Sequence, residues 1–110
     1  MTFEDLEFEK TQHPNGIQAL VKFGLYELSV IQNDISYGGK AGLYEIGVFV
    51  GDELIELPGI TTDGDCVNGY LTKSAVTAIM RKLYLITAKN PVNIQVSNME
   101  TETAWKKNFF

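Results

Sequence analysis

Residues 72–89, TKSAVTAIMRKLYLITAK, decide the fold because they keep a helical period over several turns. Apolar side chains recur there every three or four residues, which aligns them on one side of an α-helix: Val76, Ile79, Met80, Leu83 and Ile86. Thr72 has the hydroxyl typical of an N-cap, and Asn90-Pro91 disfavours helical geometry and ends the helix. A helix with one apolar side needs an apolar surface to cover.

The rest of the chain supplies that surface, because its apolar and polar residues alternate as they do in β-strands. The alternation predicts strands over residues 17–23, 25–31, 43–50 and 54–57, and a short edge strand within 3–10 around Leu6 and Phe8. Residues 92–96 are expected to add either a late strand or an extended arm. His13-Pro14-Asn15-Gly16 predicts a turn, and Gly24 indicates either a tight turn or a bulge. Loops are expected over 32–42 and 58–68.

We therefore predict an α+β fold: an antiparallel β-sheet of four to five strands with one long α-helix, in the C-terminal half of the chain, packed on one face. This single domain covers residues 1–97 and leaves a polar and aromatic tail over 98–110. A helix on one side of such a sheet leaves the other face open to water unless a partner covers it. The core is expected to join four helix residues to five sheet residues: Val76, Ile79, Met80 and Leu83 to Tyr26, Leu28, Val30, Ile46 and Val48.

Length and composition set the broad class. The chain of 110 residues, with 45% hydrophobic and 21% charged residues, can form one domain without disulfides or metals. The single cysteine, Cys66, has no internal partner and favours a reducing compartment. The acidic start, MTFEDLEFEK, is unlike a secretory signal, and no apolar run reaches the roughly 18 residues of a membrane span. These features predict a cytoplasmic protein that does not enter a membrane.

The charge is acidic and unevenly distributed. A net charge of −5 disfavours a nucleic-acid partner, because binding to phosphates requires clustered Lys and Arg. The segment from Glu45 to Asp65 has no basic residue and six acids: Glu45, Asp52, Glu53, Glu56, Asp63 and Asp65. The simpler interpretation is an acidic sheet edge and loop beside a basic solvated helix face. The functional interpretation is an acidic patch that steers a basic protein surface to this chain.

Two motifs suggest a ligand site, and both depart from the pattern that the chemistry requires. Asp63-Gly64-Asp65 opens like a calcium loop, but Val67 occupies the third ligand position and Ser74 stands where a bidentate Glu is needed. The segment YGGKAG, Tyr37–Gly42, resembles a phosphate loop without its glycine spacing and without a Ser or Thr after Lys40. No spacing pairs carboxylates for acid-base work. The sequence therefore predicts a protein that is not an enzyme and uses no metal or cofactor.

The tail carries Trp105, Phe109 and Phe110, separated by Lys106 and Lys107. Such side chains are unfavourable in water, so they are expected either to fold back on the core or the open face of the sheet, or to contact another protein.

Several stretches resemble a family of small uncharacterised proteins encoded by tailed bacteriophages and prophages. They are FEDLEFEK followed by HPNGIQALVKF, then YELSVIQNDISYGGKAGLYEIGVFVGDE, and GYLTKSAVTAIMRKL. The resemblance covers about residues 1–89 and rests on turns, strand starts and a helix start. This chain differs in having Lys73 and Ser74 where acids usually open the helix.

The resemblance implies a small non-enzymatic phage accessory protein that acts in the bacterial cytoplasm by binding a host protein, including a defence component. The alternatives are a small-molecule or nucleotide-binding protein that sequesters its ligand, and a virion-associated structural protein. Self-association is compatible with each of these functions. The candidate binding residues are Tyr37, Lys40, Asp52, Glu53, Asp63, Asp65 and Trp105.

Overall fold

A computed structural model of the chain describes residues 1–95 and confirms the α+β class. Within this range seven antiparallel strands form one sheet, accompanied by one α-helix and two short 3₁₀ helices. The strands are β1 (Glu9–Thr11), β2 (Gly16–Phe23), β3 (Tyr26–Asn33), β4 (Tyr44–Val50), β5 (Glu53–Ile55), β6 (Val67–Leu71) and β7 (Val92–Ile94), and the helix is α1 (Lys73–Thr87). No helix in residues 1–95 is long and apolar enough to cross a membrane.

The sheet is five strands wide, because its outer positions are each shared by two short strands. The long strands β2, β3 and β4 form the centre. Along the free edge of β2, β1 pairs with residues 16–18 and β7 with residues 20–22. Along the free edge of β4, β6 pairs with residues 44–47 and β5 with residues 48–50. Gly24, at φ 61°, forms a tight turn between β2 and β3 rather than a bulge.

The helix begins where the sequence predicts. Thr72 is the N-cap, and its hydroxyl accepts a hydrogen bond from the Ala75 N–H at 3.2 Å. The stripe is buried and joins one hydrophobic cluster with the expected sheet residues: Val76, Ile79, Met80 and Leu83 with Leu28, Val30, Ile46 and Val48. Ile86, which shares the helical spacing but not the predicted core, is 53% exposed. It lies about 70° from the centre of the stripe at 3.6 residues per turn, so it points past the core.

The amino terminus differs from the predicted edge strand. Residues Phe3–Asp5 form a 3₁₀ helix, and only Glu9–Thr11 is a strand. The Asp5 carboxylate accepts a hydrogen bond from the Thr2 N–H at 2.8 Å, and the Phe3 N–H donates to Thr77 Oγ1 of α1 at 2.9 Å. These bonds fold the segment against the helix, where Phe3 and Leu6 are buried in the core.

Strand β6 lies partly in a segment predicted to be a loop. Residues Val67–Leu71 pair with β4, with a register shift between Tyr44 and Ile46. The segment lacks the regular alternation of a strand, because Asn68 and Gly69 interrupt it. Its pairing is provided by β4, a contact between residues distant in sequence.

The second face of the sheet is buried rather than open to water. On β2, β3 and β4 the residues that alternate with the helix-facing cluster are buried as well: Gln18, Leu20, Ser29, Ile31, Glu45 and Phe49. The sheet therefore has two buried faces, and the described α-helix contributes its buried residues to the cluster on only one of them.

Candidate functional site

The loop that joins β3 to β4, residues 34–43, begins with a side-chain-stabilised turn. The Asn33 Oδ1 accepts hydrogen bonds from the N–H groups of Ile35 (3.0 Å) and Ser36 (2.7 Å). In return, the Ser36 hydroxyl accepts from the Asn33 N–H at 2.9 Å. Asn and Ser favour such turns because their short side chains replace backbone partners. The loop therefore leaves the sheet in a defined direction.

Two glycines shape the rest of this loop. Gly38 (φ 88°) and Gly42 (φ 78°) adopt left-handed conformations on either side of the 3₁₀ helix Gly39–Ala41. The Leu43 N–H donates to the Gly38 carbonyl at 3.0 Å and closes the loop. The glycines that suggested a phosphate loop thus serve a compact turn.

This turn presents Tyr37 to solvent beside Tyr70 of β6. The two rings are nearly parallel, at 6° between planes and 6.4 Å between centroids. Tyr37 is 55% exposed and Tyr70 67% exposed. The Tyr70 N–H donates to the Tyr37 carbonyl at 3.0 Å, so the backbones that carry the rings are joined. We call these two residues together with the exposed Ile35 the tyrosine surface.

Tyr70 has a backbone conformation that is unusual for a residue with a large side chain. Its φ is +55°, in the left-handed region, where a non-glycine residue costs on the order of 1–3 kcal/mol. Gly69 and Gly38 allow it, because a Cβ at Gly69 would overlap the Tyr37 side chain and one at Gly38 would lie 3.0 Å from Tyr70 Cα. The surrounding backbone therefore holds an exposed aromatic ring at an energetic cost.

Glu45 anchors the tyrosine surface from beneath. Its Oε1 accepts a hydrogen bond from the Tyr37 N–H at 2.9 Å. The sequence placed Glu45 in an acidic surface segment, and this is wrong, because the residue is buried on β4. Burial raises the pKa of its carboxyl; the Tyr37 N–H opposes that rise, and the negative charge of Asp65 adds to it.

The raised pKa of Glu45 gives a prediction for Glu45→Gln. Between the ordinary value of 4.5 and the higher folded value, the native protein holds a proton that the unfolded chain has lost. The free energy of unfolding of the wild type therefore falls as pH rises through this window. Gln keeps the acceptor for the Tyr37 N–H and carries no charge, so the variant should gain stability relative to wild type as pH rises above 4.5.

Urea unfolding followed by circular dichroism at several pH values measures this difference. Asp52→Asn, at an exposed position of the turn between β4 and β5, is the matched control. Its free energy of unfolding should change with pH as that of the wild type does. Parallel stability curves for Glu45→Gln and wild type would contradict the assignment.

The acidic candidates fall into two separate groups. Asp63 and Asp65 lie on the exposed loop before β6, where the Asp65 N–H donates to the Thr62 carbonyl at 2.9 Å. The negative charge of Asp65 contributes to the raised pKa of Glu45, the residue that accepts a hydrogen bond from the Tyr37 N–H. Asp52 and Glu53 lie at the opposite end of β4, which is about 20 Å long at about 3.3 Å per residue. The structure does not bring these two to Tyr37.

The other candidates are distributed as follows. Lys40 is exposed on the 3₁₀ helix of the 34–43 loop. Trp105 lies outside the described residues. No group of three His, Cys, Asp or Glu side chains within residues 1–95 is arranged to hold a metal ion.

A separate hollow lies between the amino terminus and α1. It encloses about 470 Å³ and is lined in part by Lys73, Ser74, Thr77 and Arg81. The Lys73 ammonium lies 5.6 Å from the centroid of the Phe3 ring. This hollow shares no residue with the tyrosine surface.

The sequence indicates Tyr37, but not Tyr70, as a candidate binding residue. An exposed tyrosine after two loop-like residues carries no signal of its own, and only the pairing of β6 with β4 brings it to Tyr37. Comparisons with protein-family models, curated proteins and solved structures found no match for this chain.

Proposed function

We propose that this chain is a small non-enzymatic phage accessory protein that binds a host protein, such as a defence component, through the tyrosine surface. The observation that carries the proposal is the stacked and exposed pair Tyr37–Tyr70. Tyrosine is enriched among the residues that dominate binding energy, because its large ring buries apolar area with few rotatable bonds. A fixed pair loses little conformational entropy when a partner covers it.

The proposal includes a scaffold in which α1 covers one face of the sheet. The shared hydrophobic cluster of α1 with β2, β3 and β4 supports this arrangement. Tyr37 and Tyr70 are exposed at the end of β4 that adjoins the 34–43 loop, so the helix leaves them accessible. A rigid sheet beneath the loop keeps the contact surface in one conformation.

The charge around the tyrosine surface favours a basic partner. Asp63 and Asp65 are exposed on the adjoining loop. A partner with Lys or Arg opposite these carboxylates would associate faster at low salt, because surface charges steer encounter and are screened by ions. We place this encounter in the cytoplasm of the bacterial host.

The test is capture of a partner from a bacterial lysate, followed by calorimetry on the isolated pair. Tyr37→Ala and Tyr70→Ala should each weaken binding about tenfold or more, the loss expected at a hot spot, since about 1.4 kcal/mol corresponds to a factor of ten. The matched control is Tyr84→Ala on α1, at a tyrosine that is also exposed, at 45%. This control should bind as the wild type does.

Equal affinity of wild type, Tyr37→Ala and Tyr70→Ala for the captured protein would contradict the proposal. Asp63→Asn and Asp65→Asn should lower the association rate more than they raise the dissociation rate. A binding rate that is independent of salt would remove the acidic loop from the interface.

The alternative is a small-molecule or nucleotide-binding protein that uses Tyr37, Lys40 and the glycine-loop amides. The stacking of Tyr37 on Tyr70 directs one ring face towards the other tyrosine, which favours a protein partner over a base sandwiched at this point. Native mass spectrometry distinguishes these functions: a retained nucleotide-sized mass that is lost in Tyr37→Ala and Lys40→Ala supports the alternative. A virion-associated structural role instead predicts large oligomers.

A further inference from the structure

The second face of the sheet carries a mixture of apolar, polar and charged residues, most of them buried. We define it as the face opposite the helix-containing cluster, on which strand pairing aligns three rows across β2, β3 and β4. The rows are Gln18–Ile31–Glu45, Leu20–Ser29–Gly47 and Lys22–Glu27–Phe49. Leu20 and Phe49 are each 1% exposed, so this face is covered.

The middle row of the second face has little side-chain volume at Ser29 and Gly47, which are cross-strand partners. Leu20 lies at the β2 end of this row and Phe49 in the next row on β4, and we call the low region between them the hollow. A glycine inside a central strand weakens it by about 0.5–1 kcal/mol and often marks close approach of another group. The hollow therefore matches a bulky, flat side chain that inserts between Leu20 and Phe49.

The described elements account for the other parts of the sheet. The buried residues of α1 belong to the cluster on the opposite face. The 34–43 loop reaches the second face at Glu45, at one end of the rows, through the Tyr37 N–H. Neither of these two elements accounts for the burial of Leu20 and Phe49.

We propose that the carboxyl-terminal segment, residues 96–110, docks on the second face and inserts the Trp105 indole over Gly47. The chain leaves the sheet at Gln95, directly after Ile94. Ile94 pairs with Leu20, so by strand alternation its side chain lies on the second face. The segment starts at the border of the surface it would cover.

Reach and charge agree with this docking. The distance across the sheet from β7 to β4 is about 14 Å, because it covers three strand spacings of about 4.8 Å each. Trp105 is ten residues beyond Gln95, and ten steps of extended chain span up to about 33 Å. The second face carries three carboxylates, Glu9, Glu27 and Glu45, and one ammonium, Lys22. Lys106 and Lys107 next to Trp105 supply the complementary charge.

The test uses intrinsic fluorescence of the full chain, because Trp105 is its single tryptophan. In the folded wild type the emission maximum should be blue-shifted from that of tryptophan in water, and acrylamide should quench it far less than in the urea-unfolded chain. This shielding should persist in a dilute monomer, verified by analytical ultracentrifugation.

Gly47→Val is the variant that fills the hollow while it keeps a residue suited to a strand. Its Trp105 emission and quenching should shift to those of the unfolded chain, and trypsin should cleave faster after Lys106 and Lys107. Glu53→Val is the matched control. It adds the same side chain at an exposed position on the neighbouring strand β5, opposite Val50 on the other face.

Fluorescence of the folded wild type already decides the proposal if Gly47→Val does not fold. Water-like emission and full quenching of Trp105 in the wild type would overturn it. Shielding that disappears on dilution to the monomer would also overturn it, because a second copy would then be the cover. Shielding unchanged by a folded Gly47→Val would remove Gly47 from the contact.

Discussion

Replacing Leu83 by Ala is expected to lower the free energy of unfolding by about 2–5 kcal/mol. Leu83 is 0% exposed and lies in the cluster that joins α1 to β2, β3 and β4. Truncation removes buried methyl groups and leaves a cavity that the surrounding side chains of the cluster can only partly close. Since small domains have total stabilities of about 5–15 kcal/mol, this loss should lower the thermal unfolding midpoint by many degrees.

The matched control is Leu85→Ala, two residues further along the same helix. Leu85 is 79% exposed, so the same chemical change should alter stability by less than about 0.5 kcal/mol. Urea unfolding followed by circular dichroism at 222 nm, the α-helical band, gives both values. Equal losses for the two variants would show that helix propensity, rather than burial, determines the effect.

Gly39→Ala is expected to destabilise the 34–43 loop, with a loss of about 1–3 kcal/mol typical of overpacking. A Cβ on Gly39 would overlap the Asn33 carbonyl oxygen and the Ser36 hydroxyl, the groups that form the turn at the end of β3. The backbone must shift to admit one methyl group. Because Tyr37 belongs to this loop, partner binding should weaken together with stability.

Lys40→Ala tests the same 3₁₀ helix without this overlap, because Lys40 is exposed. It should leave stability within about 0.5 kcal/mol of the wild type. Urea unfolding and near-ultraviolet circular dichroism of the tyrosines provide the two measurements. An unchanged tyrosine signal and unchanged stability in Gly39→Ala would show that the loop accommodates the methyl group.

Local patterns predict the elements that are regular over several residues. The period of α1 and the alternation of β2, β3 and β4 identify these elements, and the hydroxyl of Thr72 identifies the start of the helix. The segments whose structure differs from the prediction depend on contacts with residues distant in sequence. Phe3–Asp5 is held by Thr77, and β6 is paired by β4, so neither conformation is encoded in its own alternation.

The candidate site is predicted less well, because it is assembled from segments more than 30 residues apart. Tyr37 and Tyr70 come together through a hydrogen bond between their backbones and a positive φ at Tyr70. Glu45 is an acidic residue of a type usually found at the surface, but it is buried and accepts a hydrogen bond from the Tyr37 N–H. Burial follows from the layers that cover β4, which a one-dimensional charge pattern does not contain.

The divided edges of the sheet affect how the molecule meets other chains. A long, flat edge strand offers a row of unpaired amides and carbonyls, and it recruits further strands into aggregates. Here each edge of the sheet within residues 1–95 consists of two short strands, β1 and β7 on one side and β5 and β6 on the other. Three of these strands have three residues and β6 has five. An extended peptide would find only short stretches of backbone to pair with. The architecture thus resists growth by strand addition and leaves recognition to side chains.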